Sequence, residues 1–453
     1  MNVRTAGHAD KPALQEDTLS APSKTKDRVI ARRGFLRGSA ALVAFAAPSV
    51  IPATALGRDD RPAPSDRIVV GGIGHGGIAR INVRSLLAAR EVQFVAVCDV
   101  DAKASQRGKT SVDQHYGNND CKTYTDFRDL LDRGDLDAVD VSTPDHWHAI
   151  PTIEACRRGI DVHVEKPLSL TIREGRAMVE AARRYGRIVQ TGSEARSNRK
   201  CRFACELIRN GRIGQVREIY VSKVGAPGNM TILPAEPVPP HLDWNMWLGP
   251  APWRPYNKIY HPFKWRPYYD FSGGGLTDGG AHSFDLVQWA LGTDDTGPVE
   301  IHPPDGKDHP WLTYTYANGV RMYHVLRGKP RVEMIGHITV IGTRGCIGYS
   351  YGGLQKTDPP SLAQDTIGPD EIHLYKCPPG GHQRGDFLHS IRTRQRPGAD
   401  VEIGHRSVTV AHLGGIAYRL RRPLRWDPVR EVFVGDDEAN LHLGRAMREP
   451  WRL

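Results

Sequence analysis

A lysine set between a glutamate and a proline, Glu165-Lys166-Pro167, follows the apolar run at 160–164. That run reads as a buried strand, so the lysine stands at a strand's carboxyl end, where it faces a cleft. Partial burial there lowers an ammonium pKa toward neutrality and makes the amine a usable proton donor or acceptor. The plainer alternative is a solvated surface lysine. A second chemical feature lies upstream. The run at 67–71 leads into Gly72-Ile73-Gly74-His75-Gly76-Gly77, and Ala79, Val83, Leu86 and Leu87 then recur at helical spacing. A second apolar run at 92–97 ends at Cys98-Asp99. Strand, G-x-G-x-x-G, helix, strand and acid, in that order, are the parts of a dinucleotide-binding unit. Gly72 is expected to permit the tight turn, Gly74 to let the backbone approach a pyrophosphate, and Gly77 to let helix and strand pack closely. The helix N-terminus offers free N–H groups to the phosphates, with His75 in the loop beside them. Asp99 is placed to accept hydrogen bonds from ribose hydroxyls and to repel a 2′-phosphate, which favours NAD over NADP. Lys103 and Arg107 follow closely and leave NADP admissible.

A third junction, Ser142-Thr143-Pro144-Asp145-His146-Trp147-His148, follows the run at 138–141. Ligands of open α/β sheets bind outside the carboxyl ends of strands. Thr143, Pro144, His146 and Trp147 are therefore read as a nucleotide-contacting loop, with helix capping and metal ligation as alternatives. No third metal ligand stands near the two histidines, and no metal is expected. Strand-like segments at 138–141, 160–164 and 188–190 alternate with helical patterns at 150–158 and 172–185. The pattern predicts an α/β Rossmann domain with a doubly wound parallel sheet over residues 66–191.

From residue 192 to 453 the pattern changes to α+β with a mostly antiparallel open sheet. A helix is expected near 203–209 and a half-buried strand over 216–224. Asn318-Gly319 between apolar runs is a hairpin signal, and further strands fall at 338–341 and 347–349. Helices are expected at 387–394 and 401–420. Residues 234–267 hold nine prolines and four tryptophans, which excludes regular structure and leaves two readings. Trp265 and its neighbours either stack on the apolar faces of sugar rings, or form an irregular arm packed on its own domain or a neighbouring subunit. Arg196, His382 and His405 are within reach of the cleft in such a fold, with structural roles as the plainer reading.

Together, the glycine fingerprint, Thr143-Pro144, Glu165-Lys166-Pro167 and a downstream Asp278-Gly-Gly-Ala-His282-Ser-Phe-Asp285 resemble the Gfo/Idh/MocA oxidoreductases, the glucose–fructose oxidoreductase and inositol dehydrogenase group. The resemblance runs from about residue 66 to the C-terminus. It implies Lys166 and His282 as the catalytic pair, with Asp278 orienting or sharing the proton, and Glu165 and Lys166 beside the cofactor. The residue types agree. Asp278 and His282 at i, i+4 share a helix face, and a carboxylate fixes an imidazole's tautomer and raises its basicity. Asp285 stands between substrate contact and a structural role. The resemblance further implies NAD-dependent oxidation or reduction of a secondary hydroxyl or ketone of a sugar or polyol. It also implies a homo-oligomer, dimer or tetramer, built on the second sheet. The main alternative is a redox-neutral hydrolase or lyase that oxidises a ring carbon transiently; a non-catalytic sugar binder is a third reading.

The 453 residues suffice for two or three domains, and 39% apolar with 25% charged residues excludes intrinsic disorder. No run of about 18 apolar residues argues for a membrane-spanning helix, so no integral membrane domain is expected. Seven cysteines without a CxxC pair exclude a disulfide scaffold. Of the net charge of +10, residues 1–47 carry +4, and the remaining +6 is spread along the chain, unlike the stripe of a nucleic-acid binder. Residues 1–57 read as an address and the start of a linker. Arg32-Arg33-Gly34-Phe35-Leu36-Arg37 precedes the short apolar segment 40–47 and the small residues Ala53-Thr54-Ala55. The adjacent arginines resemble a twin-arginine signal, which implies the folded-protein export machinery as a partner and a periplasmic destination. A coenzyme exported inside its enzyme must be tightly held.

Overall fold

The computed structural model describes residues 62–326, 333–378 and 382–453. The signal-like segment lies outside them. Six parallel strands form the first sheet: β1 (Ile68–Ile73), β2 (Val92–Cys98), β3 (Lys122–Tyr124), β4 (Ala138–Val141), β5 (Asp161–Val164) and β6 (Val189–Thr191). Their order is β3-β2-β1-β4-β5-β6, the Rossmann order. Both faces of the central strands are covered: every residue of β4, β5 and β6 is buried, and the polar Asp140 and His163 among them pair at 2.7 Å. The crossovers are α1 (Ala79–Leu87), α2 (Ala102–Tyr116), α3 (Phe127–Leu131), α4 (Ala149–Arg157) and α5 (Ile172–Arg184). Asp101 caps α2 by accepting the Lys103 and Ala104 N–H groups, and Gly117 at φ 68° ends it. A Thr171/Glu174 capping box starts α5. The strand order reverses between β1 and β4, which opens a crevice at their carboxyl ends.

Next come α6 (Arg199–Arg209), β7 (Val216–Val221), α7 (Trp244–Leu248), α8 (Gly275–Asp278) and α9 (Gly280–Leu291). Then follow β8 (Pro298–His302), β9 (Leu312–Tyr316), β10 (Arg321–His324), β11 (Ile338–Gly342), β12 (Cys346–Ser350) and β13 (Gly353–Asp358). The chain closes with α10 (Gln383–Thr393), α11 (Val401–Leu420), β14 (Leu424–Asp427), β15 (Val432–Phe433) and α12 (Asp437–Leu441). The second sheet has nine strands, β13-β12-β11-β7-β10-β9-β8-β14-β15, antiparallel except for β7 with β10. The hairpin signal stands between β9 and β10, with Gly319 at φ 82° and its N–H bonded to the Tyr316 carbonyl at 2.9 Å. Phe284, Leu286, Val410 and Ile416, from α9 and α11, pack with Tyr314 and Ile338 into the core under this sheet.

Two features differ from the sequence reading. The proline-rich segment does hold regular structure: Asp243 accepts the Met246 N–H and starts the five-residue α7. The end of the chain also returns to the first layer. Phe387 and Leu388 of α10 pack with Val70 and Ile188, and Trp451 packs with the core that holds Phe127 and Trp147.

Candidate active site

The sharp turn after β1 falls at Gly74, whose φ is 84°, a conformation that disfavours any side chain. A Cβ there would also stand 2.8 Å from the Ser142 carbonyl carbon and the Thr143 nitrogen. The turn was expected at Gly72, which is instead the last-but-one residue of β1, and a Cβ on it would meet the His75 ring at 2.8 Å. The His75 ring sits between Gly72 and Gly108, donates from Nε2 to the Gly72 carbonyl at 3.2 Å, and is held neutral by burial, its pKa lowered to about 4. The backbone N–H of His75 donates to Asp99 Oδ2 at 2.6 Å, and Asp101 N–H donates to Asp99 Oδ1 at 2.8 Å. Asp99 therefore ties the glycine loop to the start of α2. Burial raises its pKa to about 6 against the pull of those two N–H groups.

These residues line one side of a cleft of about 600 Å³, which also takes in Gly76, Gly77, Thr143, Pro144 and Trp147. A dinucleotide fits what is there. Space is open at Gly76, where a Cβ would meet nothing within 4 Å, and the buried Thr143 hydroxyl has no partner. The other side of the cleft is the proline-rich segment. His241, Trp247, Tyr256, Phe263 and Trp265 face the glycine loop across it. Two backbone bonds fasten this strap beside the acid: Ala102 N–H to the His241 carbonyl at 2.9 Å, and Asp243 N–H to the Val100 carbonyl at 3.0 Å. The segment packs on its own chain, across the carboxyl edge of the first sheet, and its aromatic residues line the cleft at the same time. Trp253 is 68% exposed and takes no part.

At the far end of the cleft stands Arg266, its guanidinium 4.3 Å from the Trp265 ring centroid. Arg266 Nε donates to Asp278 Oδ1 at 3.1 Å, and Lys166 Nζ donates to the same oxygen at 2.8 Å. Burial works against the Asp278 charge, but the two cations hold its carboxyl below the usual range. His282 was expected to lean on Asp278. The backbone stays helical through Gly279, which joins α8 to α9, yet no hydrogen bond joins the two side chains among the described residues. His282 is half-buried, with its ring 6.0 Å from that of Tyr351, and burial followed by the Lys166 charge lowers its pKa to about 4. Asp278 thus fixes the amine, while the imidazole is left neutral and free to accept a proton.

Four expected contacts are corrected. Arg196 and Asp285 form a buried ion pair, Nε to Oδ1 at 2.8 Å, closed by Asp294 at 2.6 Å and by the Ser407 hydroxyl at 2.7 Å. Their polar atoms are spent on one another, on Asp294 and on Ser407, and neither residue lines the cleft. His146 points away from the cleft, donates from Nε2 to the Trp247 carbonyl at 3.0 Å, and packs on Trp247 and Phe271. Trp147 donates to the same carbonyl at 2.9 Å but does line the cleft. Glu165 lies behind Lys166, accepting from Asn82 at 3.0 Å with Arg384 at 3.6 Å, so it braces β5 rather than the nucleotide. His382 and His405 also lie elsewhere, near Ser85 and Glu431.

A model described as "Oxidoreductase family, NAD-binding Rossmann fold" matches residues 68–193, and one described as "Oxidoreductase family, C-terminal alpha/beta domain" matches residues 220–453, more than half of the chain. The chain belongs to the Gfo/Idh/MocA oxidoreductase family. It is similar to the uncharacterized oxidoreductase YrbE of Bacillus subtilis, 25% identical over 291 residues, which is 62% of this chain and 72% of that one. It is 29% identical over 200 residues to a 1,5-anhydro-D-fructose reductase of Ensifer adhaerens, covering 44% of this chain and 51% of the relative. A glycosyl hydrolase family 109 protein of Shewanella baltica is 29% identical over 207 residues, with 41% and 44% covered. Among solved structures, the WlbA dehydrogenase of Bordetella pertussis, in complex with NADH and UDP-GlcNAcA, matches with a TM-score of 0.56 and 17% identity. That match covers 80% of this chain and 99% of that one, and the likeness is one of fold.

In this Gfo/Idh/MocA chain the sequence reading missed Arg266, Phe263, Arg80 and His241, which line the NAD-binding cleft. Three of them lie on the irregular strap, where no periodicity signals which side chain turns inward. Among the described residues, no group of three or more His, Cys, Asp or Glu is arranged to hold a metal ion, and no helix is long and apolar enough to cross a membrane.

Proposed function

We propose that this protein is an NAD-dependent oxidoreductase that moves a hydride between the nicotinamide and a secondary hydroxyl or ketone of a sugar or polyol. The observation that carries the reading is Lys166, fixed by Asp278 beside the cleft that the glycine loop lines, with a His282 that burial, and after it the Lys166 charge, keeps neutral. Gly74, Gly77, Asp99, Thr143, Pro144 and Trp147 would hold the dinucleotide. When bound, NAD supplies the hydride acceptor at C4 of its nicotinamide ring. His282 takes the proton of the substrate hydroxyl as the C–H hydride leaves, and the Lys166 ammonium stabilises the alkoxide that forms between the two events. In the reverse direction the same imidazole returns the proton. Trp265 lines the cleft under the Arg266 guanidinium, and the aromatic wall it shares with Trp247 and Tyr256 would meet a sugar ring.

Two measurements test this. Denaturing the purified protein should release NAD, tightly held. A screen of sugars and polyols should then find one that raises the absorbance of reduced nicotinamide. Protein that arrives empty and ignores added NAD in a calorimeter sinks the reading. A redox-neutral cleavage through transient oxidation is the second reading, supported by the family 109 relative. It is distinguished by product release without net NADH.

The pH profile adds a prediction. An imidazole whose pKa falls to about 4 is neutral, and able to accept a proton, at any higher pH. The acidic limb of kcat/KM for alcohol oxidation is therefore expected well below the roughly 6.5 of a free imidazole. A limb at 6.5 or above, still present in His282→Asn, would remove His282 from the reaction.

The reading places the mature enzyme in the periplasm as a homo-oligomer, dimer or tetramer. Arg32-Arg33 and the apolar segment after them support the address. Cell fractionation of the wild type beside Arg32→Lys/Arg33→Lys tests it.

A further inference from the structure

A second cavity, of about 240 Å³, lies between α11, the start of α5, the strap at 269–273 and the chain end at 442–446. It shares no lining residue with the NAD-binding cleft. Its wall includes Gly273 and Thr277, and so it backs onto the segment that carries Asp278. Leu170, Pro252 and Ile416 make part of the wall apolar.

The polar part is cationic and short of acceptors. Arg419 lies over the Tyr269 ring, 4.4 Å from its centroid, and has no carboxylate partner among the described residues. Arg445 donates from Nε to Glu174 at 2.7 Å and from Nη2 to the His146 carbonyl at 2.9 Å, while its buried Nη1 has no partner. A buried donor without an acceptor carries a desolvation penalty that a bound acceptor would remove. Asp270, the one carboxylate among the lining residues, is engaged by Arg254. His412 donates from Nε2 to the Ser169 carbonyl at 3.1 Å, which leaves Nδ1 as an acceptor for a ligand hydroxyl. The volume is below the roughly 300–1,000 Å³ of drug-sized sites, and excludes a dinucleotide.

We propose that this cavity is a second ligand site, which takes a hydroxy acid of single-ring size, a sugar acid. Its carboxylate pairs with Arg419 and Arg445, and a hydroxyl donates to His412. The site does not depend on the redox reading, because no residue of the hydride-transfer centre enters it.

The test is calorimetry on the full chain with saturating NAD, titrated with glucuronate, inorganic phosphate and glucose. Two variants report on the site. Arg419→Met removes the unpaired cation. Gly415→Met fills the cavity, and a Cβ on Gly415 meets nothing nearer than 3.9 Å, so the helix accepts it. Circular dichroism and NAD affinity check that both variants are folded. Glucuronate is expected to bind one per chain, to weaken about tenfold or more in each variant, and to bind unchanged in Lys166→Ala; glucose is expected not to bind. Binding of glucuronate that neither variant weakens lies in the catalytic cleft and overturns the proposal. No binding of any probe overturns it too. Phosphate alone bound with the same variant sensitivity overturns the sugar-acid assignment.

Discussion

Lys166→Ala is expected to lower kcat/KM about a hundred- to ten-thousand-fold while leaving NAD affinity within a few fold. The reason is where the ammonium sits. Its Nζ is 2.8 Å from Asp278 Oδ1 and 3.2 Å from the Asp278 carbonyl, on the edge of the cleft rather than inside its glycine end. Removal takes away the charge that stabilises an alkoxide in the transition state. The pyrophosphate cradle at Gly74 to Gly77 is untouched. A thousandfold loss corresponds to about 4 kcal/mol of transition-state stabilisation, which an ordered cation in a partly dehydrated site can supply. Stability should change little, because the Lys166 and Asp278 side chains are 18% and 33% exposed and Arg266 remains to pair with the carboxylate. Steady-state kinetics on the substrate found by screening, with NAD titrated separately, makes the check. A variant that keeps a tenth of the wild-type kcat/KM takes Lys166 out of the chemistry. One that loses NAD binding along with turnover makes the lysine a cofactor anchor instead.

The Asp278 geometry also changes how the pair is understood. Spacing alone puts Asp278 and His282 on one helix face, and the expected partnership was carboxylate with imidazole. The arrival of Lys166 from the end of β5, 112 residues earlier in the chain, redirects the carboxylate to the amine. Sequence periodicity describes neighbours along one element; it is silent about which distant element delivers a stronger partner. The same limit explains Glu165, which the family resemblance sets beside the cofactor and Asn82 and Arg384 draw into the interior. What was legible rests on local rules. The first-sheet strands at 92–97, 138–141 and 160–164 are mostly apolar because both faces are covered, with the buried Asp140 and His163 paired at 2.7 Å, and the hairpin at Asn318-Gly319 is written in its turn residues. The fifteen-residue α2 was not legible, since Ala104 and Val112 are its only buried apolar side chains. The turn moved from Gly72 to Gly74 because the fingerprint fixes where glycines stand without saying which one carries the positive φ. The strap over the cleft was out of reach for a different reason. Nine prolines fix local φ values and remove donors, but they do not say onto which surface the segment folds.

Arg196→Met is expected to destabilise the fold by about 3–5 kcal/mol, seen as a melting temperature lower by roughly 6–20 °C. Both carboxylates of its network depend on it, and they differ in how far water can replace it. Asp294 is 32% exposed and can be rehydrated, whereas Asp285 is 1% exposed and cannot. Burial already pushes the Asp285 carboxyl above its ordinary range in spite of the guanidinium, so without Arg196 the acid must take up a proton or open the helix packing around Ser407. It follows that the damage comes from the orphaned charge more than from the lost bond. The double substitution Arg196→Met/Asp285→Leu should then recover at least half of the loss, because no buried carboxylate is left behind. The same variants separate a structural pair from a substrate contact. At a temperature where Arg196→Met is still folded, its KM for the sugar should match the wild type. A KM raised about tenfold with an unchanged melting temperature would return Arg196 and Asp285 to the substrate cleft.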